Sequence, residues 1–223
     1  MNQIWLNAVR ASAGAAVAPW WRAGGAPEPV AVYQPIGAAS LAASYVNLAN
    51  PGVFDAAPGV APTWASGTGW GFNGTTQYLD TGYTQATTVN RAVIIRFTNA
   101  TTANNGAVVG NLNSGGTAGY GISPHRTGAG GEARIYSGNS FATAVVVDGI
   151  VAVAATRGYV NGVDVGGMSY ADFTPASNIL VGAWRTGTNF LYRACDVQAI
   201  AIYDTSTDHA IWVPAVSAAM AAL

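Results

Sequence analysis

From Val30 onward the chain is written in short apolar runs of period two, each cut off after a few residues by Gly, Asn, Thr or Pro. Successive side chains of a strand point to opposite faces, so this rhythm specifies antiparallel strands and tight turns, and it leaves no room for long helices. Val89 to Thr98 is the clearest strand, with Val93, Ile95 and Phe97 on one face and Ala92, Ile94 and Arg96 on the other. Ala107 to Leu112, Gly119 to Ser123 and Ala133 to Tyr136 are shorter candidates between Gly-rich turns. Asp148-Gly149, between Val145–Val147 and Ile150–Ala155, and Asn161-Gly162, between Tyr159-Val160 and Val163–Val165, carry the residue pairs that two-residue hairpins favour. Asn178 to Ala183 and Cys195 to Tyr203 complete the set. The last alternates Cys195, Val197, Ala199, Ala201 and Tyr203 against Asp196, Gln198, Ile200 and Ile202, which predicts a central strand. The expected fold is all-β: a two-sheet antiparallel jelly-roll sandwich with an N-terminal arm and a short C-terminal helix. Its 223 residues suit one such domain.

The two ends depart from this rhythm. Trp5, Trp20 and Trp21 are three of the seven tryptophans, set among Ala and Gly and followed by Pro27-Glu28-Pro29. Residues 1–29 read as an arm and residues 30–223 as the domain. Within the arm, Asn2 to Ala13 forms a candidate short helix carrying Ile4, Trp5, Ala8 and Val9 on one side, too little to fold without a surface to rest on. That surface is either the domain's own flank or a neighbouring subunit, where aromatic side chains serve as anchors. At the other end, Pro214 suits the first position of a helix, Val213 before it is biased to extended backbone, and Ala215 to Leu223 are helix formers.

Charge removes several classes of partner. Charged residues make up 9% of the chain, against about 25% in ordinary domains. Nine Arg, no Lys and ten scattered acids give a formal net charge of −1 and no basic stripe to displace counterions from phosphates, so no nucleic-acid partner is expected. The stretch Ala142–Ala155 falls short of the roughly 20 apolar residues that cross a bilayer and is cut by Asp148-Gly149, so no membrane partner is expected. Arg10 is the first charge and no bulky apolar block follows it, which argues against a secretory leader. The single Cys195 closes no internal disulfide and reads as a core residue.

Several segments stand in an order that carries a resemblance. Gly71-Phe72-Asn73-Gly74 leads into Gln77-Tyr78-Leu79-Asp80; Val93 to Phe97 follows; Val151 to Thr156 leads into Tyr159-Val160-Asn161-Gly162; Ile179-Leu180-Val181-Gly182 and Ala199-Ile200-Ala201-Ile202-Tyr203-Asp204 close the series. This succession, spanning residues 40–223, resembles the laminin G-like jelly roll of the concanavalin A-like lectin/glucanase superfamily. The stretch Tyr33 to Pro62, joined to that jelly roll, is similar to structural proteins of phages and prophages. The resemblance implies a non-enzymatic virion structural protein, a capsid decoration or a tail or attachment component. Its implied partners are other virion proteins and further copies of itself, and its implied location is the virion, assembled in the host bacterial cytoplasm.

Catalysis finds no residues to carry it. Glucanases of the superfamily place carboxylates on one strand in an E-x-D-x-E pattern, since retaining cleavage needs an acid and a nucleophile about 5 Å apart. The only glutamates here are Glu28 and Glu132, far apart and without an acid two positions away. His125 and His209 lack metal-ligand spacing, no G-x-S-x-G elbow occurs, and the glycines of 67–71 and 128–131 read as turns. No cofactor or metal is expected. Some laminin G-like domains bind calcium, and Asp164, Asp172 and Asp196 are single candidate ligands, but no acidic cluster surrounds them. The alternative function is a carbohydrate-binding module recognising host-surface glycans, in which aromatic rings stack on sugar faces while Asn and Arg bond to hydroxyls. Its candidates are Trp184, Arg185, Asn189 and Tyr192 in one loop, with Tyr120 and His125 on another.

Overall fold

The structure is a computed structural model describing residues 18–85, 90–103, 105–126, 132–167 and 169–223. Trp5, the Asn2–Ala13 helix and the glycine run at 128–131 lie outside the described residues. Two antiparallel sheets face one another. With strands numbered in chain order, the first sheet runs β12 (Val163–Gly167), β11 (Arg157–Val160), β10 (Gly149–Ala154), β6 (Ala92–Thr98), β16 (Ala194–Tyr203), β4 (Gly69–Asn73) and β3 (Thr63–Ala65). β1 (Ala31–Tyr33) pairs with the C-terminal half of β16, while β4 takes its N-terminal half. The second sheet runs β2 (Ala57–Val60), β5 (Tyr78–Asp80), β13 (Leu180–Val181), β7 (Val109–Leu112), β8 (Gly119–Arg126) and β9 (Glu132–Thr143).

The alternation read on β6 is observed. Val93, Ile95 and Phe97 join Trp70, Val151 and Val153 in the core between the sheets, where Leu79, Val109, Ile122, Ile135 and Val181 meet them from the second sheet. Ala92 and Ile94 face the other way, under the C-terminal helix. The central position of β16 is also observed, but its strict alternation is not. Val197 pairs with Phe97 and Ala199 with Arg96, so Gln198 is an extra residue, a bulge that flips the faces beyond it. Cys195, Val197, Ile200 and Ile202 therefore point into the core, and Ala199, Ala201 and Tyr203 point outward.

One hairpin is not where the turn pair predicts. Val145 to Val147 forms no strand: β9 ends in the second sheet at Thr143 and β10 begins in the first at Gly149, so the chain crosses between layers there. Asp148 accepts a bond from the Asn99 backbone N–H at 2.6 Å instead of closing a tight turn. The hairpin into β11 is closed by Ala155-Thr156, with Ala155 at φ 50, and Asn161-Gly162 closes the next at φ 51 and 78 as expected. The meander thus exists, shifted by one turn.

A short helix, α1 (Leu41–Ser44), precedes β2, and the C-terminal helix, α2 (His209–Ala221), starts five residues earlier than Pro214 suggests. Pro214 sits inside it, where its missing N–H and ring cost about 3 kcal/mol. Burial of Trp212, Val213, Val216 and Met220 against the first sheet, each contributing about 1.5–3 kcal/mol, outweighs that cost. The described part of the arm rests on the domain's own flank. Trp20–Gly25 forms a 3-10 turn beside α2, the Tyr203 hydroxyl donates to Trp21 O at 2.8 Å, and Trp20 Nε1 donates to Gln34 Oε1 at 2.8 Å.

Candidate functional site

β14 (Ala183–Thr186) and β15 (Asn189–Tyr192) form a hairpin of their own, outside both large sheets. Its two faces have different work. Trp184 points toward the second sheet, 1% exposed, packed edge-on against Tyr136 with ring centroids 5.2 Å apart, beside Ala107 and Leu112. This small core fastens the hairpin to the sheet's outer surface.

The opposite face carries Arg185, Phe190 and Tyr192. Arg185 pairs across the hairpin with Phe190, and Phe190 and Tyr192 are two residues apart on one strand, so pleating sets all three side by side. Phe190 and Tyr192 lie nearly parallel, at 13°, with centroids 5.7 Å apart. Tyr78 joins them from β5, with its centroid 4.8 Å from Phe190 and 6.3 Å from Tyr192. It faces outward because its neighbour Leu79 takes the core side of a three-residue strand, fully buried. Its ring lies against the bare backbone of Gly59 in β2; a Cβ there collides with the phenol ring. All three residues are half-buried. Burial, and then the neighbouring Tyr78, push the Tyr192 phenol up from its ordinary value.

Arg185 is the cation of this surface. Its Cζ stands 5.6 Å from the Phe190 centroid, within cation–π range, and its Nε donates to Gly187 O at 2.7 Å. Gly187 supplies the left-handed turn residue, φ 53, that brings its carbonyl back to the guanidinium. Below the hairpin, Arg193 is fully buried and donates to Gly106 O at 2.7 and 3.0 Å, to His125 O at 2.7 Å and to Thr101 O. Burial pulls its guanidinium down to about 10. It holds the loop around Gly106 to the base of the hairpin.

The structure therefore gathers Arg185, Asn189 and Tyr192 on one hairpin, Asn189 exposed near its tip. It overturns two of the sugar-binding candidates. Trp184 is committed to the small core, and Tyr120 is 1% exposed between the sheets, with the Arg91 guanidinium 4.4 Å over its ring; neither ring is open to a ligand. His125 is half-buried, its Nδ1 enclosed and its carbonyl taken by Arg193. Two members of the surface, Tyr78 and Phe190, escape the sequence reading. The signal was present for Phe190, in the period-two spacing of Phe190 and Tyr192; Tyr78 is brought in by the fold alone.

Elsewhere, Asp164 is held by Arg157 through two bonds of 2.7 and 2.9 Å, which keep its carboxyl below its ordinary value. Asp172 accepts from Tyr170, and Asp196 accepts from Asn99 Nδ2 at 2.7 Å. Among the described residues no three His, Cys, Asp or Glu side chains stand close enough to hold a metal ion, and no helix is long and apolar enough to cross a membrane. Cys195 is a free thiol, 3% exposed, pushed up by burial. An open recess of about 540 Å³ lies beside the arm, lined by Trp21, Arg22, Glu28 and Leu48, with Arg22 and Glu28 paired.

No family model matches the chain, and no curated protein matches its sequence. Solved structures share its fold. Domain 4 of AbnA, a GH43 extracellular arabinanase from Geobacillus stearothermophilus, solved with arabinotriose, superposes with a TM-score of 0.59 at 12% identity, over 86% of this chain and 98% of that one. A sialidase from Trypanosoma rangeli, solved with sialic acid, gives 0.55 at 13% identity, over 83% of this chain and 32% of the sialidase. The binding domain of botulinum neurotoxin DC, in complex with rat synaptotagmin II, gives 0.54 at 6% identity, over 86% of this chain and 52% of that one. This chain thus spans about a third of the sialidase and half of the neurotoxin fragment. At these identities the likeness is one of fold: a lectin-like β-sandwich.

Proposed function

We propose that the chain is a non-catalytic carbohydrate-recognition domain that stacks a glycan on the aromatic surface of Tyr78, Phe190 and Tyr192. The observation that carries this reading is the convergence of three half-buried aromatic residues from two separate sheets, with ring centroids within 6.3 Å of one another. Sugar rings present apolar C–H faces ringed by hydroxyls, and a platform of aromatic faces with phenolic edges complements both. None of the described strands carries a pair of carboxylates, the set that retaining glycoside hydrolysis uses. The sandwich neighbours solved with arabinotriose and with sialic acid add support by analogy.

The virion setting that the stretch Tyr33 to Pro62 suggests is compatible with this reading, since attachment to a host glycan is one use of a displayed lectin-like domain. The fold and its neighbours favour glycan recognition over a purely structural role. The test is a glycan array with the purified protein, followed by calorimetry on any hit with the wild type and Phe190→Ala. Binding that weakens at least several-fold in the variant supports the proposal; silence of the array, or equal affinity of the variant, overturns it.

A further inference from the structure

The aromatic surface has one charged group among its rings, and that group is positive. Arg185 stands beside Phe190 with its Nε committed to Gly187 O, which pins the plane of the guanidinium and leaves its two terminal nitrogens without a protein acceptor among the described residues. The nearest acid along the same face of β5 is Asp80, two residues from Tyr78. Its Oδ1 already accepts from Gly82 N at 2.8 Å and from Asn178 Nδ2 at 3.0 Å. The hairpin itself, residues 183–192, contains no acid, nor do the adjoining stretches 57–62 and 113–118. A fixed fork of N–H donors beside a stacking platform, with no carboxylate of its own to satisfy it, is complementary to a planar anion carried on a ring.

We infer that the ligand of this surface is a sugar bearing a carboxylate, a uronic or a sialic acid, with its ring on Phe190 and Tyr192 and its carboxylate on the terminal nitrogens of Arg185. This assignment rests on the proposed glycan-binding role of the same surface. A partly exposed ion pair is worth about 1 kcal/mol or less, so the acid is preferred over its neutral counterpart by roughly fivefold at low salt, and less as salt screens the pair.

The experiment measures affinities of the full chain for two matched pairs: oligogalacturonate against its methyl ester, and sialyllactose against lactose. The two pairs distinguish a uronate from a sialate source. Preference for the acid in either pair, falling toward equality in Arg185→Gln, is the expected result. Equal affinity for acid and neutral forms in the wild type overturns the inference while leaving the glycan platform standing, as does a preference that survives Arg185→Gln. Absence of binding to all four compounds, together with a silent array, removes the platform reading and this inference with it.

Discussion

The ring of Phe190 lies 4.8 Å, centroid to centroid, from that of Tyr78, although the two residues belong to sheets that share no hydrogen-bonded strand. One strand supplies a ring from the sandwich, the other from a hairpin fastened on top of it, so the contact exists only while the hairpin is docked. The proposed glycan binding at this surface therefore depends on packing one layer below.

The platform itself is open to test without unfolding the protein. Phe190 and Tyr192 are half-buried, and their removal leaves the inter-sheet core untouched. Phe190→Ala and Tyr192→Ala each cost about 1–1.5 kcal/mol of glycan binding, roughly tenfold in affinity, from lost stacking. Calorimetry checks the affinity, and thermal denaturation checks that the midpoint moves by only a few degrees.

Trp184 behaves oppositely. With its ring 1% exposed and packed edge-on against Tyr136, Trp184→Ala removes most of the small core beneath the hairpin and costs about 3–5 kcal/mol of stability. Chemical denaturation measures the loss. A Trp184→Phe variant, which keeps an aromatic ring, loses distinctly less.

Much of this architecture is legible in the sequence, and the failures have definite causes. The faces of β6 and the Asn161-Gly162 hairpin follow from local periodicity and turn chemistry, which the structure obeys. The bulge at Gln198 is invisible to alternation because both faces of β16 are buried, one in the core and one under α2, so apolar residues satisfy either register. Asp148-Gly149 reads as a hairpin because turn chemistry says nothing about which sheet the next strand joins. Residue type alone makes Tyr120 and Trp184 ligand candidates, yet Tyr120 points into the core between the sheets, and Trp184 lies where a hairpin covers the outer surface of a sheet and creates core positions there too. Tyr78 is separated from Phe190 by more than half the chain, and only the fold brings them together.

The arm contributes to stability through its described part. The backbone of Trp21 satisfies the Tyr203 hydroxyl, and the Tyr203 ring packs against Trp212 with centroids 4.7 Å apart and planes tilted by 46°. Deleting residues 1–29 uncovers that ring pair and lowers stability by about 1–3 kcal/mol through the lost bond and lost burial. Denaturant titration of the truncated chain checks this. An unchanged midpoint contradicts the packing role of the arm.

Alkaline pH destabilises the fold. Burial raises the Tyr33, Tyr120 and Tyr203 phenols well above their ordinary 10.0, so the folded protein keeps protons that the unfolded chain releases above that pH. Each therefore contributes stability that is fully present below pH 10 and is lost at about 1.4 kcal/mol per pH unit above it. The buried Cys195 thiol acts in the same direction from about its ordinary 9.0. Arg193, drawn down to about 10, opposes them, because there the unfolded chain holds the proton more tightly. Three phenols and a thiol outweigh one guanidinium, so stability falls as pH rises beyond 10, and the phenolate absorbance of these three buried tyrosines appears in step with unfolding.

Amide chemical-shift mapping during titration with an acidic oligosaccharide locates the binding surface directly. The largest perturbations are expected on residues 59–60, 76–78 and 185–192, around Tyr78, Arg185, Phe190 and Tyr192. Perturbations centred instead on the recess beside Trp21, Arg22 and Leu48, or no perturbation at saturating ligand, would contradict the proposed location.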